Sequence, residues 1–584
     1  MQLTGPKPAA WAGQVADLTL VGDIPLANIT YAGNHINATS SKNSDGTTTV
    51  HIPTSLVNAT TVQQVDINLG DSTYSVNMTV FPAATPQKLP EDPVWIEMFE
   101  SAATGWTSSG WDFDTLDGIV EHNGTEGKQR FSRASGVVAH AQGPGRLTSP
   151  PVNLPLGRDY ELRFSSHFSG SDAAVSVTFD NSTTVHRMNA TESGQVRIPF
   201  TPSGPASFAF ELKEGSYWLI DDVAVVRPLG NSTGPILETI DIISDIQNIP
   251  CNKWMHDSLL PGLAQIGPRA TTLVINGDLV GWDGEDSWSS FSKALKPAKS
   301  YNHVISTAGN HEMFGKADEE TKKRRFLAYT GMGARHNAAQ EAGANGVGTI
   351  GGAGLWGEHV TASGVPLLWL ASERWWQDPS SEPQYVVLSD EQFGFLARRL
   401  EYWRARSRTV LLFSHHPLPF SVSGTWTPFE SRNFGTDELR FRHLLAANPH
   451  AVLVTSHSHW AIEAADQNVD HRPLVGWNST TPTFNTGATI NWYDLGDKEW
   501  QGVWKGEKAP TAIRVEVYAD RVRFKALRFW NLSTTATVVN TRDVAFPAQG
   551  RLTVNAVHSA ASRTAPSTGL VATMLVLCFR LLWA

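Results

Sequence analysis

Apolar and polar positions alternate with two different periods along this chain, and the change of period divides it. Early on the period is two, as in Thr47-Thr-Thr-Val-His-Ile52 and Tyr74-Ser-Val-Asn-Met-Thr-Val80. Alternation of that kind predicts half-buried strands, and a succession of them predicts a small, immunoglobulin-like β-sandwich over residues 1–88. The stretch Ala83-Ala-Thr-Pro-Gln-Lys-Leu-Pro-Glu-Asp-Pro93 reads as a proline-punctuated linker. Between 94 and 229, turns rich in Gly, Ser and Asn separate short strands such as Tyr160–Phe164 and Ala174–Phe179, which predicts a second all-β sandwich or jelly-roll module. From about residue 236 the apolar residues come instead in unbroken runs: Ile240–Ser244, Leu273–Asn276, His303–Thr307, Val410–Ser414 and Ala451–Ser456. Helix-like stretches separate them, so they read as strands of an α/β sheet buried on both faces. One such stretch opens at Ser389-Asp-Glu-Gln392, which has the spacing of a capping box, and places Phe393, Leu396, Leu400 and Trp403 on one face. That helix is expected to pack on the sheet and deliver the chain to the run ending at Ser414.

Each run stops at residues that bind metals. In order these are Asp245-Ile-Gln247, Gly277-Asp278, Gly309-Asn310-His311-Glu312, Ser414-His415-His416-Pro417 and Ser456-His457-Ser458-His459. Ligands of α/β sheets gather beyond the carboxyl ends of the strands. Oxygen donors and imidazoles arriving together at one sheet edge therefore imply a metal centre. Imidazole suits Zn, Fe, Mn or Ni, and a carboxylate can join two cations because it offers two oxygens and a negative charge. Two cations roughly 3.5–4 Å apart can clamp the attacking and leaving oxygens of a displacement at phosphorus and lower the pKa of a bound water.

The five motifs, in this order, resemble those of the calcineurin-like metallophosphoesterases: Asp-x-His, Gly-Asp, Gly-Asn-His-Asp/Glu, a lone His, then Gly-His-x-His. The resemblance spans about residues 236 to 530 and implies an α/β fold, a β-sandwich flanked by helices, over 236–540. It further implies two divalent transition-metal ions, the first held by Asp245, Gln247, Asp278 and His459, the second by Asp278, Asn310, His415 and His457. Of the adjacent His415 and His416, the resemblance favours His415. His311, next to Asn310, is the candidate for protonating the leaving-group oxygen. Gln247 stands where the family has His, and an amide is a weaker transition-metal donor than imidazole. Ser456 replaces the family's Gly and is expected to alter only the turn. Gly281 stands where the related purple acid phosphatases carry a metal-binding Tyr, which argues against a tyrosinate-ferric centre.

Other conspicuous residues carry plainer expectations. Asp283, Glu285 and Asp286 read as a solvated acidic loop, Lys322-Lys-Arg-Arg325 as a solvated helix face, and Trp375 and Trp376 as packing residues. The Gly-rich stretch from Gly343 to Gly357 lacks the P-loop pattern and reads as a mobile loop near the metals.

At 584 residues the chain exceeds the ~250–300 residues of a single core, in line with three domains. Ten Asn-x-Ser/Thr sequons occur, at Asn28, Asn37, Asn58, Asn77, Asn123, Asn181, Asn189, Asn231, Asn478 and Asn531. Eight precede residue 232, the pattern of a glycan-bearing β stalk beneath a catalytic domain. Residues 541–584 read as a linker and a lipid-attachment signal: small Ser559-Ala-Ala561, a polar spacer through Gly569, then an apolar tail from Leu570 to Ala584, interrupted by Arg580. Against an extracellular, GPI-anchored protein, Met1-Gln-Leu-Thr-Gly-Pro-Lys7 shows no signal peptide, so either the start is incomplete or the chain is not secreted. With Cys578 in the tail, Cys251 has no partner for a disulfide in a processed chain. The net charge of −10 argues against nucleic-acid binding. The strand Trp218–Val225 resembles the last strand of jelly-roll modules that bind carbohydrate or protein at cell surfaces, and a plain spacer fits it equally. The expected function is metal-dependent hydrolysis of phosphomonoesters or phosphodiesters, with a small phosphorylated substrate. The alternative is a cell-surface recognition or adhesion protein whose phosphoesterase-like domain is weakened at Gln247.

Overall fold

A computed structural model describes residues 7–21, 29–31, 33–69, 72–82, 94–97, 99, 105–115, 137–180, 182–188, 193–230, 234–247, 253–341, 348–375, 386–419, 421–422, 425, 433–460, 462, 468–473, 480–489 and 509–547. The expected linker, the C-terminal tail, Cys251, Trp376 and the sequon residues Asn28, Asn123, Asn181, Asn189, Asn231 and Asn478 lie outside them. No helix among the described residues is long and apolar enough to cross a membrane.

Alternation makes the first module. A five-stranded and a three-stranded sheet face each other across Leu18, Leu20, Val50, Ile52, Val65, Ile67, Met78 and Val80, the inward positions of the period-two strands. The second module is also a β-sandwich, but its strands are not all short. Tyr160–Phe179 and Ala206–Val226 are single strands of 20 and 21 residues, paired antiparallel with register shifts between Arg163 and Ser165 and again between Ser169 and Ala173. The Ser/Gly-rich middle, expected to break the strand, is taken up as β-bulges that bend the pair without ending it.

In the α/β part the strands are β1 (Glu238–Ile243), β2 (Thr272–Asn276), β3 (His303–Thr307), β4 (Ile350–Gly351), β5 (Trp356–Val360), β6 (Pro366–Trp369), β7 (Val410–Phe413), β8 (Ala451–Thr455), β9 (Asn468–Pro473), β10 (Thr480–Asn485), β11 (Thr511–Val517), β12 (Arg521–Arg528) and β13 (Thr537–Ala545). The helices used below are α1 (Glu285–Ala294), α2 (Glu319–Thr330), α3 (Met332–Glu341), α4 (Asp390–Arg404) and α5 (Glu438–Ala447). One sheet has the order β3-β2-β1-β11-β12-β13 and the other β4-β5-β6-β7-β8-β10-β9. Within them β1, β2 and β3 run parallel, as do β6, β7, β8 and β10.

Unbroken apolar runs are explained by burial on both faces. Ile240, Ile242, Val274, Leu411, Phe413, Val452 and Val454 fill the space between the sheets. Their neighbours Ile243, Leu273, Ile275, Val410, Leu412 and Leu453 point the other way, into a core shared with Phe291, Leu396, Leu400 and Leu444 of the helices. The helix after Ser389 forms as expected: Ser389 Oγ accepts from Gln392 N at 3.1 Å, and Phe393, Leu396, Leu400 and Trp403 are buried. Only half of the capping box is made, because the Gln392 amide turns instead to Ala371 and Glu373.

Three surface expectations are corrected. Asp283 is buried, accepting from Trp288 Nε1 at 2.8 Å and Arg325 Nη1 at 2.5 Å, whereas Glu285 and Asp286 are exposed as expected, Glu285 taking the Nε of the same guanidinium at 2.9 Å. The basic run is no solvated face: Lys322 is buried with Nζ on the Met313 carbonyl at 2.7 Å, Lys323 pairs with Glu319, and Arg325 ties α2 to the Asp283 loop. The Gly-rich stretch, where described, runs through the two-residue edge strand β4 and a 3-10 turn at Gly352–Gly354 into β5. A Cβ at Gly351 would fall 2.0 Å from the Trp356 ring, and one at Gly357 2.8 Å from the Trp369 ring, so glycine is there for close packing. Trp375 is buried in the core, as expected.

The first module is no free stalk segment. Ala9 and Phe81 belong to the core shared with the helices of the α/β part. Phe81 stacks on His443 of α5 at 5.3 Å and meets Phe393 of α4 edge-on at 6.3 Å. Polar contacts ring this patch: Lys7 Nζ to Asp437 at 2.9 Å, Asn77 Nδ2 to Asp390 at 2.6 Å, and Thr60 N and Oγ1 to Glu401 at 2.9 and 2.6 Å.

Candidate metal centre

All five motif loops converge at the carboxyl ends of β1, β2, β3, β7 and β8. Asp245 N donates to Gly277 O at 3.1 Å, and Ile246 N and Gln247 N to Asp278 O at 2.8 and 3.0 Å, which presses the first loop onto the second. Gly277 has φ +86°, and a Cβ there would lie 2.3 Å from His415 Nδ1; a Cβ at Gly309 would lie 2.2 Å from Asp278 Oδ1. The motif glycines thus let the lone histidine and the central carboxylate approach the backbone.

Asp278 is the hub. Two groups of buried residues bring ligand atoms within 4.8 Å of one another, Asp278 with His415 and His457, and Asp245 with Asp278 and His459. His415 Nε2 lies 3.2 Å from Asp278 Oδ1, and His459 Nε2 lies 3.1 Å from Asp245 Oδ1. Gln247 Nε2 donates to Asp278 Oδ2 at 2.9 Å and sits 3.1 Å from His459 Nε2, so its amide faces the same point. Asn310 is buried in the third loop. His311 N donates to Asp278 Oδ1 at 3.0 Å, its Nδ1 lies on Gly281 O at 2.8 Å, and its Nε2 is 3.8 Å from Asp278 Oδ2. With its side chain 27% exposed, His311 stands between the centre and solvent.

The donor set fits divalent cations. His415 Nδ1 is taken by Asn276 O at 2.8 Å, which leaves Nε2, buried and without a hydrogen bond, directed at Asp278. A backbone partner that fixes the tautomer in this way is typical of a metal-binding imidazole. Electrostatics agree: burial opposes ionisation of Asp278, yet the neighbouring His415 and His311 hold its carboxyl well below the usual range. Against its own burial, His415 is pushed up to about 10 by Asp278. Protons here compensate charge that a cation would otherwise neutralise.

Several residues that position the centre carried no role in the sequence. Glu312 is fully buried and accepts Leu279 N and Val280 N on Oε1 at 2.7 and 3.1 Å, and Asp278 N and Gly309 N on Oε2 at 3.0 and 2.7 Å. It stood inside a quoted motif, and its burial was the missing signal. Ser456 does more than alter a turn: its Oγ donates to Asn276 O at 2.8 Å and accepts from Asn276 Nδ2 at 2.7 Å. His416 is buried as well, its ring 4.5 Å from that of His457, so both adjacent histidines approach the site.

Solved structures similar to parts of the chain include the TmCBM61 module in complex with beta-1,4-galactotriose, 15% identical over 22% of this chain and 94% of that one, at a TM-score of 0.18. Another is the C-terminal CBM6 of LamC from Zobellia galactanivorans, 9% identical over 23% of this chain and 98% of that one, at 0.17. The CBM22-1 and GH10 modules of a Clostridium thermocellum xylanase are 8% identical over 68% of this chain and 91% of that one, at 0.18. TM-scores this low carry no argument about fold or ligand. No curated protein matches the chain. Residues 238–461, which hold every motif of the centre, match the model of the calcineurin-like phosphoesterase family, so the chain carries a domain of that family.

Proposed function

We propose that the domain hydrolyses phosphomonoesters or phosphodiesters at a dinuclear metal centre. The observation that carries this reading is the sharing of Asp278 by both ligand groups. Divalent cations bound there would supply Lewis acidity and a water of lowered pKa. The chain supplies the rest. Asp278 would be shared between the two cations, one of which Asp245, Gln247 and His459 would help to hold and the other Asn310, His415 and His457. His311, steadied by Gly281 O, offers a proton from Nε2 to the leaving oxygen.

The test is a pair of variants. Asp278→Asn is expected to lose bound metal and hydrolysis together, whereas His311→Ala keeps metal and loses turnover by roughly 10²–10⁴-fold. That second loss should be large for an alkyl ester and small for a nitrophenyl ester, whose leaving group needs no proton. Full activity of Asp278→Asn would defeat the two-metal reading, and equal losses on both esters would remove His311 as proton donor. Gln247 favours the second reading, a recognition protein with a weakened centre, for which metal binding would persist without turnover of any phosphate ester.

The place of action is proposed as the cell exterior, with a lipid anchor and a carbohydrate or cell-surface partner on the second β module. In support, the described sequon residues Asn37, Asn58, Asn77 and Asn531 are all exposed. Truncation after Gly569 is expected to release active protein into the medium; unchanged membrane retention would refute the anchor.

A further inference from the structure

Next to the metal centre stands an aromatic side chain with no role in holding it. Trp282 is 66% exposed, the only aromatic among the exposed large apolar side chains of the described residues. Large apolar groups left in water at the mouth of a polar site are informative where scattered surface leucines are not. Its backbone is held on both sides. Gly281 O receives His311 Nδ1 at 2.8 Å, and a Cβ on Gly281 would come 3.0 Å from Gln247 O, so this loop runs between the two residues. Asp283 N donates to Phe314 O at 2.6 Å, its carboxylate is locked by Trp288 and Arg325, and the Phe314 ring lies 4.7 Å from that of His311. A rigid loop thus carries an exposed indole one residue beyond the carbonyl that orients the candidate proton donor.

We propose that Trp282 is the platform for the leaving group and that it selects a planar aromatic one, an aryl or nucleobase-bearing alcohol, over an alkyl alcohol. The proposal rests on the phosphoesterase reading. The leaving oxygen must lie near His311 Nε2, so the group attached to it passes over the Gly281-Trp282 loop. A rigid indole gains most from a flat π-face and little from a hydrated, flexible chain.

Titration calorimetry of the manganese-loaded full chain with phenylphosphonate and methylphosphonate reads this without turnover. Trp282→Ala is expected to weaken phenylphosphonate by about tenfold more than methylphosphonate, the scale of one lost stacking contact. Trp282→Phe should restore most of the difference. In steady state the kcat/KM ratio of phenyl phosphate to glycerol phosphate should fall by a similar factor in Trp282→Ala, through KM. Leu156→Ala, another exposed apolar side chain, serves as the control. Equal weakening of both phosphonates, or none, overturns the platform. Trp282-dependent phenylphosphonate binding without hydrolysis of any ester overturns the catalytic reading alone, and failure to bind either phosphonate overturns both.

Discussion

Five residues facing the metal centre, Asp245, Gln247, Asp278, His457 and His459, adopt φ of +51°, +47°, +54°, +70° and +56°. Left-handed backbone at a non-glycine residue costs on the order of 1–3 kcal/mol and persists only where surrounding contacts impose it. Asp and His tolerate it better than Gln, so Gln247 is the most strained of the five and also the departure from the family motif. Its side chain nevertheless reaches Asp278 and His459. Gln247→His is therefore expected to keep the loop and tighten the first metal by about tenfold, because imidazole is the better transition-metal donor. Superimposable metal titrations of the two proteins would show that residue 247 does not touch the metal. The residues gathered at the centre could be read in the sequence because each follows an apolar run. The Ser456–Asn276 pair could not, since its partners are 180 positions apart.

Between elements, one buried carboxylate gathers four backbone amides of the two central loops. Glu312 takes two amides of the Asp278 loop on one oxygen and, on the other, one from that loop and one from the third. Burial, then the charge of Asp278, pushes its carboxyl up to about 8, while the amides of Gly309 and Val280 pull against both. Every one of those donors needs an acceptor, so Glu312→Gln would set an NH₂ against two N–H groups. The expected loss is about 2–3 kcal/mol of stability, the cost of buried donors left unsatisfied, together with weaker metal binding. Urea denaturation and metal titration read the two effects, and wild-type values for both would show that the carboxylate is dispensable. Strand ends were readable from sequence here because apolar runs stop abruptly. The corrected elements were not, because their partners lie far away: Arg325 reaches back 42 positions to Asp283, and bulges absorb the polar middle of Tyr160–Phe179.

Across the whole molecule, the first module and the helices of the α/β part share an apolar contact centred on His443, with Phe81 stacked at 5.3 Å and Trp11 tilted at 5.5 Å. Local periodicity gave each partner its own fold but carried no trace of the contact, because Phe81 merely closes an alternating strand and His443 is one mid-helix residue of Glu438–Ala447. The contact is expected to weaken in acid. Burial lowers the imidazole from 6.5 to about 4, partly offset by the Leu439 carbonyl. Above pH ~6.5 the residue is neutral in both folded and unfolded chains and makes stability no more pH-dependent. As pH falls from 6.5 towards 4 the unfolded chain takes up the proton first, so stability drops by up to about 1.4 kcal/mol per pH unit. Below 4 the folded imidazole is protonated too and the loss levels off. His443→Phe keeps an aromatic ring against Phe81 and removes the titration. Urea midpoints of the two proteins should therefore keep a constant difference above pH 7 and diverge between pH 6.5 and 4, with the variant gaining. Other buried histidines titrate equally in both proteins and cancel in the difference. Parallel pH profiles down to 4 would mean that His443 is not held neutral by the docked module.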